Sequence, residues 1–255
     1  MSYREGSYKR PAWIGIVVAV ALGLWFFGPG LSNAGKRARL STPAGFEAEV
    51  LNDPEAGELF KTLKVTNPDE VRTYVEAGAQ KMGQGATDAE ISAYSRQFML
   101  SILRDVPRRL AAAPHDDLVA AVQAQADLLD KARSSDPATC AQLASTGSAA
   151  GAGPALQSLV LSAAIVRLRV AAAGRDHPQA GTGKITAGDV RALAALMQKN
   201  GLSESDVNLF LTSDSLAGLS PQSQCDVTYH SYRDTLALPK DQGDRVMRWL
   251  VDPGA

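Results

Sequence analysis

Histidine, cysteine and aromatic residues are scarce in this chain of 255 residues: three His, two Cys, and a Phe, Trp and Tyr content of 6%. The two thiols, Cys140 and Cys225, have no second Cys or His close by to complete a tetrahedral ligand set. Cys225 and His230 are also five residues apart, a spacing that does not align them on one helical face. Neither a metal nor a cofactor is expected. Few aromatics beside abundant alanine argue against the aromatic and β-branched surfaces of sheets and for close-packed helices.

An excess of positive charge is lacking too. The formal net charge is −1, and Arg4, Lys9, Arg10, Lys36, Arg37 and Arg39, with one acid, Glu5, flank a single hydrophobic segment. The twenty basic and twenty-six acidic residues that remain leave −6 on the rest of the chain. Phosphate backbones would be repelled, and no basic stripe with interleaved aromatics is present, so nucleic acid is not a partner.

Catalytic signatures are missing as well. There is no Gly-x-Ser-x-Gly elbow, no His-Glu-x-x-His and no paired-carboxylate motif. Gly181-Thr182-Gly183-Lys184 looks like the end of a phosphate-binding loop, but Pro178 stands where its first glycine belongs and Ile185 where its magnesium-binding hydroxyl belongs. The reading is of a protein that is not an enzyme, with no catalytic residues to name.

What is present begins with twenty consecutive uncharged residues, Ala12 to Leu31. At 1.5 Å per residue a helix of that length spans about 30 Å, the hydrocarbon thickness of a bilayer. Trp13 near one end and Trp25, Phe26 and Phe27 near the other suit the headgroup zones. The expected layout is a short cytoplasmic tail (1–11), a transmembrane signal anchor (12–31), a small, basic, turn-rich linker (32–45) and an exported helical domain (46–255). A cleaved signal peptide is the alternative, with Ser32 and Ala34 before a cut at Gly35, although the apolar run exceeds the usual h-region. Three basic residues on each side leave the positive-inside count tied. The short N-terminal tail and the large C-terminal part bearing both cysteines favour the domain outside.

Helix punctuation recurs along that domain. Asn67-Pro68 is a cap followed by a proline at the first helical position, and Thr87 with Glu90 forms a capping box ahead of Ile91, Tyr94, Phe98 and Ile102. Pro107 ends or kinks that helix and Pro114 opens another. Asp136-Pro137 starts a short helix bearing Cys140, and residues 145–153 read as a flexible loop and hinge. Leu156 to Val170 is apolar nearly all round, as in a buried central helix; Arg167 and Arg169 argue against a second membrane span. Thr186 with Asp189, Ser203 with Asp206, and Ser220-Pro221 open further helices, and Glu47 to Leu51 hints weakly at a strand. The predicted fold class is all-α, with about eight or nine helices after the N-terminal transmembrane helix.

An even cysteine count in a chain that reads as exported makes a Cys140–Cys225 disulfide the natural expectation, with two separate buried thiols as the alternative. Among the histidines, His115 precedes Asp116 and Asp117 at a helix start and takes a structural role. His177 lies in a Gly/Pro loop and is expected to be exposed. His230 has Asp226 and Asp234 four residues to either side, beside Tyr229, Tyr232 and Arg233. This group could bind a polar ligand or partner, and a solvated helix face is the plainer reading.

The stretch Cys225 to Pro239, continuing through Arg245-Val-Met-Arg-Trp-Leu250, resembles the C-terminal end of an uncharacterised family of proteobacterial envelope proteins, and Asp136-Pro-Ala-Thr-Cys140 is similar to the same family. The resemblance implies a bacterial inner-membrane protein, single-pass, with a periplasmic helical domain and two similarly placed cysteines. It implies no activity. Tyr232, Leu236, Leu238, Pro239, Val246 and Leu250 look structural within it. The expectation is a tethered, non-enzymatic envelope protein that binds another protein, with a small-molecule sensor or carrier domain, centred near His230, Tyr232 and Arg233, as the alternative.

Overall fold

A computed structural model describes residues 34–53, 56–147, 152–179, 183–212 and 216–252. The expected tail and anchor, 1–31, lie outside the described residues, as do 148–151 of the expected hinge. Among the described residues the chain is all-α, without strands, and the thirteen helices are more numerous than expected. Where the sequence reads as one domain from Phe46, the contacts divide into two compact units at Asp105–Val106.

The first unit holds α1 (Ala34–Leu40), α2 (Pro43–Asn52), α3 (Ala56–Thr66), α4 (Pro68–Gly83) and α5 (Asp88–Arg104). Two expectations are corrected here. The linker 32–45 contains α1 and the start of α2, because Leu40 and Phe46 are fully buried and the Thr42 hydroxyl caps Gly45 N–H at 3.2 Å. The strand hint at Glu47 to Leu51 is helix, since Phe46 and Val50, four apart, bury on one face. Asn67 stands at the head of α4 without a side-chain cap bond, whereas the Thr87–Glu90 capping box is complete.

The core of this unit gathers around Tyr74, whose ring stacks on Phe98 at 4.2 Å and meets Phe46 edge-on at 5.6 Å. Its hydroxyl bonds the Ser95 hydroxyl at 2.8 Å. Burial pushes the phenol well above its ordinary range, against the lowering effect of Ser95. A Cβ at Gly78 would overlap the Phe46 ring, so the close approach of α2 to α4 requires glycine there.

The second unit holds α6 (Val106–Ala111), α7 (His115–Ser135), α8 (Pro137–Thr146), α9 (Pro154–Asp176), α10 (Ala187–Lys199), α11 (Glu204–Thr212), α12 (Pro221–Thr235) and α13 (Lys240–Val251). Helix α9 packs on α6 and α7, while α12 packs on α7, α8 and α10. Among the described residues α9 alone is long and apolar enough to cross a membrane. Its buried Val160, Ala163, Ala164, Leu168 and Ala171 serve as core, and a Cβ on buried Gly174 would overlap the Arg109 carbonyl of α6.

Helix α13 presents Val246, Met247, Trp249, Leu250 and Val251 to the interior. Its Arg248 reaches back to donate to the carbonyls of Ala111 and Ala113, which satisfies acceptors left open where α6 ends.

Cys140 of α8 and Cys225 of α12 form a disulfide with Cα atoms 5.4 Å apart at a sequence separation of 85. Both are fully buried. Closing a loop of that length stabilises the folded state by about 4–5 kcal/mol in the chain-entropy model. Reduction, or paired Cys140→Ala and Cys225→Ala substitution, is expected to lower the urea midpoint of the full-length protein accordingly. A midpoint unmoved by reductant that demonstrably frees both thiols would contradict this.

Candidate functional site

Several buried charges in the second unit are matched by charges of opposite sign. Asp189, 1% exposed, completes the capping box of α10 with Thr186 and receives both Nε and Nη2 of Arg245 at 2.7 Å. Its desolvation raises the carboxyl pKa, but the Arg245 and Thr186 hydrogen bonds outweigh that and hold it below the ordinary aspartate range. Asp244 accepts from Arg248 at 2.8 and 3.1 Å and faces His115 Nδ1 at 3.2 Å. His115 thus serves structure, as expected, through a partner 129 residues away in sequence. His177 is exposed.

His230 stands differently. It is half-buried beside a cleft of about 430 Å³ walled by Asn200 at the end of α10 and by Tyr229, His230, Arg233 and Asp234 of α12, with Leu236 and Ala237 just beyond the helix. The solvated helix face favoured from sequence does not hold for Asp234, which is 3% exposed. Asn200 Nδ2 donates to its Oδ1 at 2.7 Å, and His230 Nδ1 lies 3.3 and 3.2 Å from its two oxygens. Among the described residues no Lys or Arg pairs with this carboxylate. Asn200 was not legible as part of the site, because it reads only as the stop signal of α10, 34 residues from Asp234.

Tyr229 meets the His230 ring edge-on at 4.9 Å, and the Arg133 guanidinium of α7 lies over the Tyr229 ring, 4.4 Å from its centroid. Burial, then the nearby Asp130 carboxylate, push the Tyr229 phenol up from its ordinary range. Arg233 is exposed at the cleft rim with no carboxylate partner among the described residues.

Two of the grouped residues lie elsewhere. Asp226 does not line the cleft; it binds Arg133 at 3.3 Å and Gln222 at 2.7 Å on the α7 side of the helix. Tyr232 turns to the core, 2% exposed and hydrogen-bonded to the buried Arg167 of α9, with its phenol pushed up by burial against the lowering effect of that guanidinium. Tyr232 leaves the site because it stands about 200° around the helix from His230, whereas Asp226 shares that face but lies a turn earlier, held there by Arg133 and Gln222. Among the described residues no group of three or more His, Cys, Asp or Glu could hold a metal ion.

Comparison with protein-family models, with curated proteins and with solved structures finds no match.

The Asp189 charge has a defined pH signature. Its folded pKa is depressed, so its contribution is complete above the unfolded value of about 3.9 and is lost as pH falls through the folded value. The melting-temperature difference between wild type and Asp189→Asn should be constant from pH 7 to about pH 4.5 and shrink below about pH 4. A difference unchanged down to pH 2.5 would refute the charge pairing.

Proposed function

We propose that this chain is a non-enzymatic envelope protein, tethered to a bacterial inner membrane by residues 12–31, whose exported helical part binds a small polar molecule in the cleft beside His230. The cleft carries the reading. At about 430 Å³, with Tyr229, His230, Arg233 and Asn200 converging on it, it has the size and the few placed polar groups of a small-ligand site.

Export is supported by the buried Cys140–Cys225 bond, because disulfides persist in oxidising compartments and are rare in the reducing cytoplasm. The resemblance of the Cys225 to Leu250 stretch to proteobacterial envelope proteins points the same way. A protein partner has less behind it: Val65 and Leu100, the exposed large apolar side chains among the described residues, sit on the separate helices α3 and α5. Single exposed apolar side chains are ordinary on a protein surface. For catalysis, no motif in the sequence and no Ser, Cys or Lys nucleophile in the cleft lining speaks in favour.

Two measurements test the two halves of this reading. A C-terminal alkaline phosphatase fusion, active only outside the cytoplasm, should be active with the full chain and inactive once residues 12–31 are deleted; activity independent of that segment would overturn the tether. For the cleft, a library of polar metabolites should contain a compound that raises the melting temperature of the full-length protein in detergent by about 2 °C or more at saturating concentration. Ala237→Trp, which fills the cleft from an exposed position, should abolish that shift. A library without any stabilising compound, or a shift that Ala237→Trp leaves intact, would rule the cleft out.

A further inference from the structure

The cleft contains two opposite charges: Arg233 has no carboxylate partner among the described residues, and Asp234 has a formal counter-charge only when His230, 3.2 Å away, is protonated. Asp234 is buried, and its hydrogen bonds come from the Asn200 amide and the His230 imidazole, whose Nδ1 can donate in either protonation state. A carboxylate accepts about four hydrogen bonds, so these donors leave it capacity for one more. Beside a neutral His230 the buried carboxylate has no cation, and such a charge is costly and attracts one.

Arg233 supplies the other charge. It follows Tyr232 and precedes Asp234 on the same helix, and consecutive helical residues diverge by about 100°. The guanidinium therefore stands at the rim, exposed and without a carboxylate partner among the described residues, while Asp234 points inward. It keeps its planar fork of donors available.

The backbone adds to this polarity. Helices α10 and α12 both end beside the cleft, at Lys199 and Thr235, and each C-terminus carries about half a unit of negative charge. The interior of the cleft is thus negative and its rim positive. A purely anionic ligand would meet Asp234 and the two helix ends; a purely cationic one would meet Arg233. A molecule carrying both charges a few ångströms apart satisfies the two sides together.

Resting on the small-ligand reading above, we infer that the cleft takes a small zwitterion of the amino-acid class, its ammonium directed to Asp234 and its carboxylate to the Arg233 guanidinium. Tyr229 donates its phenol hydrogen to the ligand carboxylate. Leu236 and Ala237 face the ligand's side chain, and the modest volume limits it to a single amino acid or a short peptide.

Isothermal titration of the full-length protein in detergent with each of the twenty protein amino acids tests this directly. At least one should bind saturably. For every one that binds, the primary amide, which lacks the negative charge, and the deaminated acid, which lacks the positive one, should bind at least tenfold more weakly. In Arg233→Gln, an exposed substitution, the amino acid and its amide should become equivalent. Either analogue binding within tenfold of its parent overturns the zwitterion while leaving a polar-ligand cleft in place. Binding by none of the twenty overturns it as well, and the metabolite library then decides separately whether the cleft binds anything.

Discussion

A polar helix buried on most of its circumference is the constraint around which the second unit is organised. Helix α12 contains Ser, Thr, Gln, Tyr, His, Asp and Arg, yet Cys225, Val227, Thr228, Ser231, Tyr232, Asp234 and Thr235 are all buried. Each buried polar group must find a partner or cost the full desolvation of that group. The hydroxyls turn back on their own helix: Thr228 donates to Gln224 O, Ser231 to Thr228 O, and Thr235 to Ser231 O. Tyr232 meets Arg167, a pairing that also gives the guanidinium in the middle of apolar α9 a polar neighbour. The apolar drive to bury α12 is weak, and the Cys140–Cys225 bond supplies what is missing by fastening it to α8.

The candidate site follows from how this helix ends. Through most of α12 the side-chain oxygens have helix carbonyls to bond, but Asp234 is an acceptor only and cannot turn back in that way. Its partners must come from elsewhere, and they are His230, one turn earlier, and Asn200, at the end of α10. Bringing the end of α10 to the end of α12 leaves a space between two helix termini. Leu236 and Ala237, which continue from α12 without filling that space, complete the wall. The cleft is thus a by-product of satisfying one carboxylate, and the groups lining it are those the carboxylate called in.

Local signals in the sequence were sufficient where the physics is local. The Thr87–Glu90 and Thr186–Asp189 boxes involve residues three apart, and both form. The proline-initiated helices at 137 and 221 and the apolar α9 likewise follow from short-range pattern. Residues 32–45 misled because small, basic and turn-forming types mask one buried anchor, Leu40, whose helix α1 packs on α2 and α4. The site was half legible. His230 and Asp234 were grouped by their i,i+4 spacing, but their burial, the exclusion of Tyr232 and Asp226, and the arrival of Asn200 all depend on helices far away in sequence. The same holds for Arg245 with Asp189 and for Arg248 with the end of α6.

Buried aspartates in this unit reach two different electrostatic ends, and helix geometry accounts for the difference. Asp189 and Asp244 meet guanidinium groups: the first from another helix through two parallel hydrogen bonds, the second four residues along its own helix, where side chains share a face. Asp234 has its arginine at the adjacent position instead. Adjacent residues on an α-helix point about 100° apart, and here Arg233 is exposed at the rim while Asp234 faces inward. Solvation makes this inexpensive for Arg233, which is exposed, and leaves the cost on Asp234, which is buried. Had the arginine stood at 230 and the histidine at 233, the pair would have closed like Asp244 with Arg248. With His230 and Arg233 in these positions, the charges remain separated across the cleft.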